Sequence, residues 1–343
     1  MAQLKSDGLF DLQVNGYGGI DFNDASLTAE KMDIALQAML DDGVTGCLPT
    51  LITASKKDLL ERIVSLDIAV RESRLGRVMV PGYHLEGPFL NSEDGYIGCH
   101  PKGGTCDPDA AFILSLEKDI KLPILLVTLA PELSGALETI KKLHHWGKVI
   151  AIGHSSAGHD DVRAAAEAGM TLSTHLGNGL PQQLPKFDNT LLAQLAQQRL
   201  TACFIADGHH IPKADLKAML SIKGIDNSIL VTDAVSPAAC APGLYKFARM
   251  NIEKSDQGKV TIAGDNMLAG SALCLNEAVR NVIEWKLVTT EQAFKMASKN
   301  PRAALSHALE YHNITLDPGN VIWDDNFDPQ DVQYRNAEFP SIT

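Results

Sequence analysis

The 343-residue sequence has no long apolar run, no closely spaced cysteine pair and no cluster of basic residues. A membrane-spanning helix needs roughly 20 consecutive apolar residues, and no window of this chain approaches that length. The first residues, MAQLKSDG, lack the apolar segment of a signal peptide. These absences predict a protein that is located in the cytoplasm and has no membrane partner.

The six cysteines are scattered along the chain, and none belongs to a CxxC pair. This pattern is typical of reduced thiols in a reducing compartment. Cys99 adjoins His100, which raises the alternative of a thiol nucleophile, but a neighbouring histidine alone is a weak sign of that role. We interpret most of the cysteines as small buried apolar side chains.

Basic residues are fewer than acidic ones, 30 against 42, and the formal net charge is -12. Phosphate backbones attract clustered lysine and arginine, so we expect no nucleic-acid partner. A small anionic substrate would have to be attracted by local groups against the overall field.

Short apolar runs alternate with amphipathic stretches along the whole chain. This alternation is typical of repeated βα units around a parallel sheet. The predicted strands, in chain order, are residues 9–15, 46–52, 78–85, 123–130, 148–153, 170–174, 201–206 and 228–233. Eight parallel strands are the number that closes a (β/α)8 barrel of the TIM type.

The segments between these strands have apolar positions at three- and four-residue steps, as helices with one buried face require. The predicted helices are residues 28–42, 56–74, 131–146, 160–168, 190–198, 213–222, 271–285 and 290–309. We expect one barrel domain over residues 1–310. The tail at 311–343 is predicted to form a short strand or an extended arm.

Polar residues follow most of the predicted strands, at the end of the barrel where active sites of this architecture lie. In chain order they are Gln13, Asn15, His84, Glu86, His154, His175, Asp207, His209, His210 and Asp233. Packing alone gives no reason to place so many imidazoles and carboxylates on one rim. The pattern therefore favours a metal site or an acid–base site.

Glu86, His154 and His175 offer one carboxylate and two imidazoles from separate strands. This set suits one divalent first-row ion with an open position, Zn²⁺ first, with Fe²⁺, Mn²⁺ or Co²⁺ as alternatives. The ion would lower the pKa of a water in the open position towards neutrality. Asp233 would orient that water, take its proton and pass it to the leaving nitrogen of an amide.

Two of the candidate catalytic residues have structural alternatives. Asp233 could instead cap a helix or form an ion pair within the barrel. His100 lies in a glycine-rich loop after the third strand, where it could polarise the substrate carbonyl and stabilise the oxyanion. The structural alternative for His100 is an exposed loop histidine, and it is the more plausible of these two structural alternatives.

Several motifs occur in a fixed order along the predicted barrel: FDLQVNGYGGIDFND, LPTLITAS, HLEGPFLN with GCHP, GHSSA, STHLGN, IADGHH, LVTDAV and LAGSAL. Together they resemble the N-acetylglucosamine-6-phosphate deacetylase branch of the amidohydrolase superfamily. The resemblance implies a metal-dependent (β/α)8 amidohydrolase barrel that deacetylates N-acetylglucosamine 6-phosphate or a related N-acetylhexosamine phosphate.

The resemblance also implies roles for individual residues. It makes Glu86, His154 and His175 the ligands of one divalent ion, Asp233 the catalytic base, and His100 the group that polarises the carbonyl. The substrate-binding residues that it implies are His210, Asn178, Gly177 and, near the place of a family arginine, Lys186.

Gln13 and Asn15 stand where many superfamily members carry HxH and bind a second metal, so a single ion is implied. Lys186 lies in LPQQLPKFDN, where family members usually show an arginine within a GREPG-like stretch. A lysine binds phosphate as a point charge without the arginine fork. An unphosphorylated N-acyl substrate and a catalytically silent sugar-binding barrel therefore remain as alternative functions.

Family members also carry a small β-sandwich, formed by residues on both sides of the barrel. Only eight residues precede Leu9 here, so we expect the β-sandwich to be reduced or absent, without its amino-terminal half. A remnant near residues 315–323 with an exposed edge would favour burial against a second subunit, which predicts a homodimer.

Overall fold

The computed structural model describes residues 4–334 and contains an eight-stranded parallel barrel, as the sequence predicted. The barrel strands, first to eighth, are Leu9–Val14, Val44–Ile52, Tyr83–Glu86, Ile124–Leu129, Val149–Ile152, Leu172–Ser173, Thr201–Phe204 and Ser228–Leu230. The third strand begins later than expected, because Gly76–Met79 forms a helical turn.

Backbone contacts just beyond the strand ends close the barrel between its first and eighth strands. The Asn15 N–H donates to the Ala234 carbonyl over 2.7 Å, and the Asp233 N–H donates to the Gln13 carbonyl over 3.0 Å. Closure of the barrel therefore also fixes the backbone of the polar residues that follow these two strands.

Helices cover the outside of the barrel and pack their apolar faces against the strands. They are Ala29–Asp41, Lys56–Glu72, Gly76–Met79, Ala110–Glu117, Ala136–His145, His159–Ala168, Thr190–Ala196, Lys213–Lys223, Leu275–Glu284, Thr290–Phe294, a π-helix at Lys295–Lys299, Asn300–Ala304 and Ser306–Tyr311, with 3₁₀ turns at Lys102–Gly104 and Ile225–Asn227. The predicted helix at 290–309 is thus a succession of shorter segments. Within residues 4–334, none of the helices is long and apolar enough to cross a membrane.

Smaller sheets flank the barrel. One consists of Leu4–Ser6, Asn320–Trp323 and Pro329–Gln333, a second of Gly243–Phe247, Met250–Lys254 and Val260–Ile262, and a hairpin pairs Gly16–Tyr17 with Ile20–Asp21. The second sheet was not predicted. It lies in the connection that follows the eighth barrel strand, and it packs its apolar side chains against Ile52 and Val235 beside the rim of the barrel.

The first of these sheets joins the two sequence segments that flank the barrel. Leu4–Ser6 pairs antiparallel with Asn320–Trp323, and the Trp323 indole N–H donates to the Ser6 hydroxyl over 2.9 Å. We expected no contribution from the residues before Leu9, yet a short strand is present there. Residues 335–343 of the predicted tail and 1–3 of the predicted barrel domain lie outside the described residues.

Asp11, on the first barrel strand, is fully buried. Its carboxyl group accepts hydrogen bonds from the Thr232 hydroxyl over 2.5 Å and from the Gln13 N–H over 3.2 Å. Burial nevertheless raises the pKa of Asp11 from 3.8 to about 7. The folded protein thus holds the proton of this carboxyl more tightly than the unfolded chain does.

Replacing Asp11 by asparagine should make the stability of the protein less dependent on pH. Because the pKa of Asp11 is raised in the folded state, its contribution is most favourable below pH 4 and is lost as the pH rises through 7. As the pH rises from 5 to 8, the free energy of unfolding of the wild-type protein should fall, relative to that of Asp11→Asn, by on the order of 2 to 3 kcal/mol. Calorimetric melting of both proteins across this range measures the difference. A difference that does not vary with pH would contradict the prediction.

Candidate metal centre and active site

Glu86, His154 and His175 lie together at the carboxyl ends of the third, fifth and sixth barrel strands, and all three are buried. Their candidate ligand atoms all lie within 4.8 Å of one another. His175 Nε2 is 2.9 Å and His154 Nε2 is 3.4 Å from the same Glu86 Oε1. The structure thus brings together the three side chains predicted to hold the ion, and we refer to them as the metal triad.

The hydrogen bonds around His154 leave one ring nitrogen available to an ion. Its Nδ1 lies 2.7 Å from the Tyr96 carbonyl oxygen, which can only accept, so Nδ1 carries the proton. The buried Nε2 has no hydrogen-bond partner among residues 4–334, which is costly unless a ligand meets it. A carboxylate and two imidazoles are also metal ligands that first-row divalent ions prefer. The residues therefore fit one such ion.

Three site residues share an unusual backbone conformation. His154, His175 and Asp233 each follow a barrel strand with a positive φ, of 51°, 24° and 49°. For residues other than glycine this region costs roughly 1 to 2 kcal/mol and persists only where the surroundings enforce it. All three side chains line the same cavity. The strained backbone conformation thus occurs at the residues whose side chains meet in this cavity.

Two glycines that were not predicted from the sequence pack closely around the His154 ring. A Cβ atom added at Gly179 would lie 2.7 Å from His154 Nδ1, and one added at Gly98 would lie 3.3 Å from Cε1. Any larger residue at position 179 would displace the ring or its own backbone. In the sequence, these glycines could have been found from their positions in the segments GCHP and HLGNG, next to the predicted site residues His100 and His175.

Asp233 is held by two amides. Its Oδ1 accepts hydrogen bonds from Asn15 Nδ2 over 2.7 Å and from Gln13 Nε2 over 3.1 Å. Burial, followed by the nearby charge of Glu86, raises the pKa of Asp233 to about 6. A carboxyl group with a pKa near neutrality suits a general acid–base role. Within the described chain, Asp233 makes neither the helix cap nor the ion pair that were its structural alternatives.

His100 is buried beside the metal triad, so the interpretation of His100 as an exposed loop histidine was wrong. Its ring centre lies 4.4 Å from that of His154, and its Nε2 lies 3.7 Å from Glu86 Oε2. Burial, then the neighbouring His154, lower the pKa of His100 to about 3, which keeps the ring neutral. Its Nδ1 is 3.0 Å from the Thr53 hydroxyl. If that hydroxyl donates to Nδ1, Nε2 carries a proton for a substrate oxygen.

Cys99 lines the same cavity, but its thiol is a poor nucleophile there. Burial, with the nearby charges of Asp233 and Glu86, raises the pKa of Cys99 to about 12. Because the thiolate is the reactive form, the protonated thiol argues against the cysteine alternative.

A cavity of about 610 Å³ opens above the metal triad. Of the predicted substrate-binding residues, His210, Asn178 and Gly177 line it. Lys186 is not among its lining residues, and its Nζ lies 5.2 Å from the centre of the Phe187 ring. Lys186 therefore lies outside the lining of the cavity.

Hydrogen bonds position the groups at the rim of this cavity. His210 Nδ1 lies 2.6 Å from Asp207 Oδ2, so the carboxylate orients the His210 ring. Asn178 Nδ2 donates to the His175 carbonyl over 3.0 Å and holds the loop that follows the sixth strand. His209 Nε2 lies 2.9 Å from the Gln257 carbonyl, which joins the His209 loop to the turn before the strand Val260–Ile262.

Two lysines that were not predicted from the sequence, Lys102 and Lys259, also line the cavity. Lys102 pairs with Asp94, which also lines the cavity. Lys259 has no carboxylate partner in the part of the chain that the structure describes. Lys259 is thus available to an anionic group of a ligand at the rim.

No protein-family model matches the chain, but curated proteins do. An N-acetylgalactosamine-6-phosphate deacetylase of Shewanella sp. (strain ANA-3) is 33% identical over 299 residues, which cover 86% of this chain and 72% of that protein. The N-acetylglucosamine-6-phosphate deacetylase of Homo sapiens is 31% identical over 354 residues, covering 96% of this chain and 81% of the relative.

Solved structures agree with these relatives. A variant of N-acetyl-D-glucosamine-6-phosphate deacetylase from Mycobacterium smegmatis, in complex with N-acetyl-D-glucosamine-6-phosphate, matches with a TM-score of 0.86 and 27% identity, over 97% of this chain and 87% of that chain. The corresponding enzyme from Thermotoga maritima, at 23% identity, has a TM-score of 0.81 over 97% of this chain and 87% of its own, and supports the fold alone. The chain therefore belongs to the N-acetylglucosamine-6-phosphate deacetylase family of metal-dependent amidohydrolases, hydrolases that act on an amide C–N bond.

Proposed function

We propose that this protein hydrolyses the N-acetyl amide of an N-acetylhexosamine 6-phosphate and releases acetate and the amino sugar phosphate. The observation that carries this proposal is the cavity in which the metal triad and Asp233 meet. The names of the relatives, which act on N-acetylglucosamine or N-acetylgalactosamine 6-phosphate, support the choice of substrate.

The residues of the site divide the chemistry between them. An ion bound by the metal triad would polarise the amide carbonyl and lower the pKa of water. Asp233 removes a proton from the attacking water and then delivers it to the nitrogen as the C–N bond breaks. His100 Nε2 donates to the carbonyl oxygen as negative charge develops there. Gln13 and Asn15 hold Asp233 in place through its Oδ1.

A panel of substrates tests this assignment. We expect acetate release from phosphorylated N-acetylhexosamines, with a much higher kcat/KM than from the unphosphorylated sugars or from N-acetyl amino acids. A protein without phosphate preference would favour the alternative of a different N-acyl substrate. Micromolar sugar binding by a metal-free protein that shows no turnover would favour the silent barrel.

We place the phosphate of the substrate at the rim of the cavity, near His210 and Lys259. Lys259 supports this placement because its ammonium group is free of carboxylate partners among the described residues, whereas Lys102 is neutralised by Asp94. The turn before Lys259 is also hydrogen-bonded to His209, the neighbour of His210. A charged hydrogen bond of this kind typically contributes about 1.5 to 3 kcal/mol.

Replacing Lys259 by glutamine should raise KM for the phosphorylated substrate by about 10- to 100-fold. Because the chemical groups lie elsewhere in the site, kcat should change little, and the kinetics on the unphosphorylated sugar should stay as they are. Lys186→Gln is the matched control. An effect confined to Lys186→Gln would instead assign the phosphate to Lys186.

We also propose that the ion is zinc, that the protein forms a homodimer and that it acts in the cytoplasm. Two imidazoles and one carboxylate support zinc. The outer strand Leu4–Ser6 of the small sheet, which pairs on one side only among the described strands, supports burial against a second copy. The six free cysteines are consistent with a reducing compartment. Elemental analysis and light scattering of purified protein test the first two proposals.

A further inference from the structure

The fourth barrel strand contributes no side chain to the metal triad, but a carboxylate, Glu132, follows it. Glu132 Oε1 accepts hydrogen bonds from the Ser156 N–H over 2.6 Å and from Asn91 Nδ2 over 3.0 Å. Its Oε2 accepts one from the Ser155 hydroxyl over 2.6 Å. Glu132 therefore ties together the loops that follow the third and fifth strands. Glu86 is the last residue of the third strand, and His154 lies just after the fifth.

These bonds reach the backbone of His154 from two sides. Ser155 and Ser156 come directly after His154 in the chain. From the other loop, the Asn91 N–H donates to the His154 carbonyl over 3.0 Å. The peptide units that directly follow His154 are thus held relative to Glu132 and Asn91.

The same network reaches the ring of His154. Asn91 Oδ1 accepts the Glu93 N–H over 2.9 Å, and the Glu93 carbonyl accepts the Tyr96 N–H over 3.2 Å. The Tyr96 carbonyl in turn accepts from His154 Nδ1 over 2.7 Å. The loop that begins at Asn91 therefore presents the oxygen that leaves His154 Nε2 free of a proton.

We infer that Glu132 is a positioning residue that holds His154 in its metal-binding geometry. His154 has a φ of 51°, a conformation that persists only when surrounding contacts over-determine it. Glu132 accepts the hydrogen bonds of Ser155, Ser156 and the Asn91 side chain, which hold the chain around His154. It does not line the cavity above the metal triad, so it acts on the ion indirectly, through the residues that it holds in place.

The affinity of the protein for Zn²⁺ and Co²⁺, measured by competition with a chelator, tests this role without any substrate. Glu132→Ala should bind either ion about 10- to 100-fold more weakly, the range typical of groups that orient a ligand. Glu132→Gln should lose less than about 10-fold, because its amide oxygen can still accept from Ser156 and Asn91 while its NH₂ group faces the Ser155 hydroxyl. The visible spectrum of the Co²⁺ protein should shift in Glu132→Ala.

Asp67 provides a matched control at the opposite end of the barrel. Its buried carboxylate also accepts several hydrogen bonds, among them those from the Tyr83 hydroxyl over 3.1 Å and the Leu122 N–H over 3.0 Å. Asp67→Ala should lower the melting temperature of the metal-free protein and leave metal affinity within about twofold, since residues this distant behave independently.

Wild-type metal affinity in Glu132→Ala, together with a loss of stability like that of Asp67→Ala, would overturn the inference. If Glu132→Ala does not fold, Asn91→Ala cuts the connection to the Tyr96 loop and should weaken metal binding in the same direction, and unchanged affinity there would also overturn it. A wild-type protein that binds no ion would overturn both this inference and the proposed function, whereas equal affinities in wild type and variant overturn the inference alone.

Discussion

Replacing Asp233 by asparagine is expected to lower kcat by about 10²- to 10⁴-fold, the range that a positioned acid–base group contributes. The asparagine oxygen can still accept from Asn15 or Gln13, so the site should keep its shape. The amide cannot take a proton at neutral pH, which removes the step that activates the nucleophile. Acetate release at saturating substrate measures kcat, and elemental analysis verifies that the ion remains bound.

The pH profile separates this role from a structural one. Burial and the charge of Glu86 raise the pKa of Asp233 to about 6, and the base works only when ionised. Activity of the wild-type protein should therefore fall as the pH drops through an acid limb. An ion bound to Glu86 would offset the charge that raises the pKa of Asp233, which places this limb at or below pH 6. Turnover within tenfold of wild type in Asp233→Asn would contradict the assignment of the base.

Replacing Glu86 by glutamine is expected to weaken metal binding by at least about 100-fold and to reduce turnover to the background. Glu86 is the one carboxylate of the metal triad, and its Oε1 lies next to both histidines. The neutral amide of glutamine leaves the double charge of the ion without a negative partner. Chelation of the wild-type protein should give the same loss, and added Zn²⁺ should restore activity at low concentration only in the wild type.

His100→Gln is the matched control for the metal triad. The His100 ring packs against His154, but His100 does not belong to the group of ligand atoms that lie within 4.8 Å of one another. This variant should keep its ion and lose about 10²- to 10³-fold in kcat, as the loss of one oxyanion donor does. Equal metal loss in both variants would make His100 a fourth ligand and contradict its catalytic assignment.

Most of the barrel and the position of the metal triad could be predicted because both follow from local patterns. Each apolar run gives a strand, and the carboxyl ends of parallel strands meet on one rim. Glu86, His154 and His175 each lie at the carboxyl end of a different strand, so their convergence needs no knowledge of the loops. Gln13 and Asn15 could be placed near Asp233 by the same reasoning.

The remaining parts of the site depend on loops, and the conformation of a loop cannot be predicted from a local sequence pattern. The sheet from Gly243 to Ile262 has short antiparallel strands with exposed faces, and it carries Lys259 towards the cavity. Lys186 is only a few residues from the STHLGN motif, yet it does not line the cavity of its own chain. The burial of His100 likewise depends on how its loop folds over the barrel.

The small sheet that joins Leu4–Ser6 to Asn320–Trp323 also has a consequence for the newly made protein. The first of these strands leaves the ribosome more than 300 residues before its partner, which at about 5 to 20 residues per second is a wait of roughly 15 to 60 s. During that interval its hydrogen-bonding groups are without their final partners. Nascent chains halted before residue 320 should therefore be open to proteolysis at this end and become protected once the later strand has emerged.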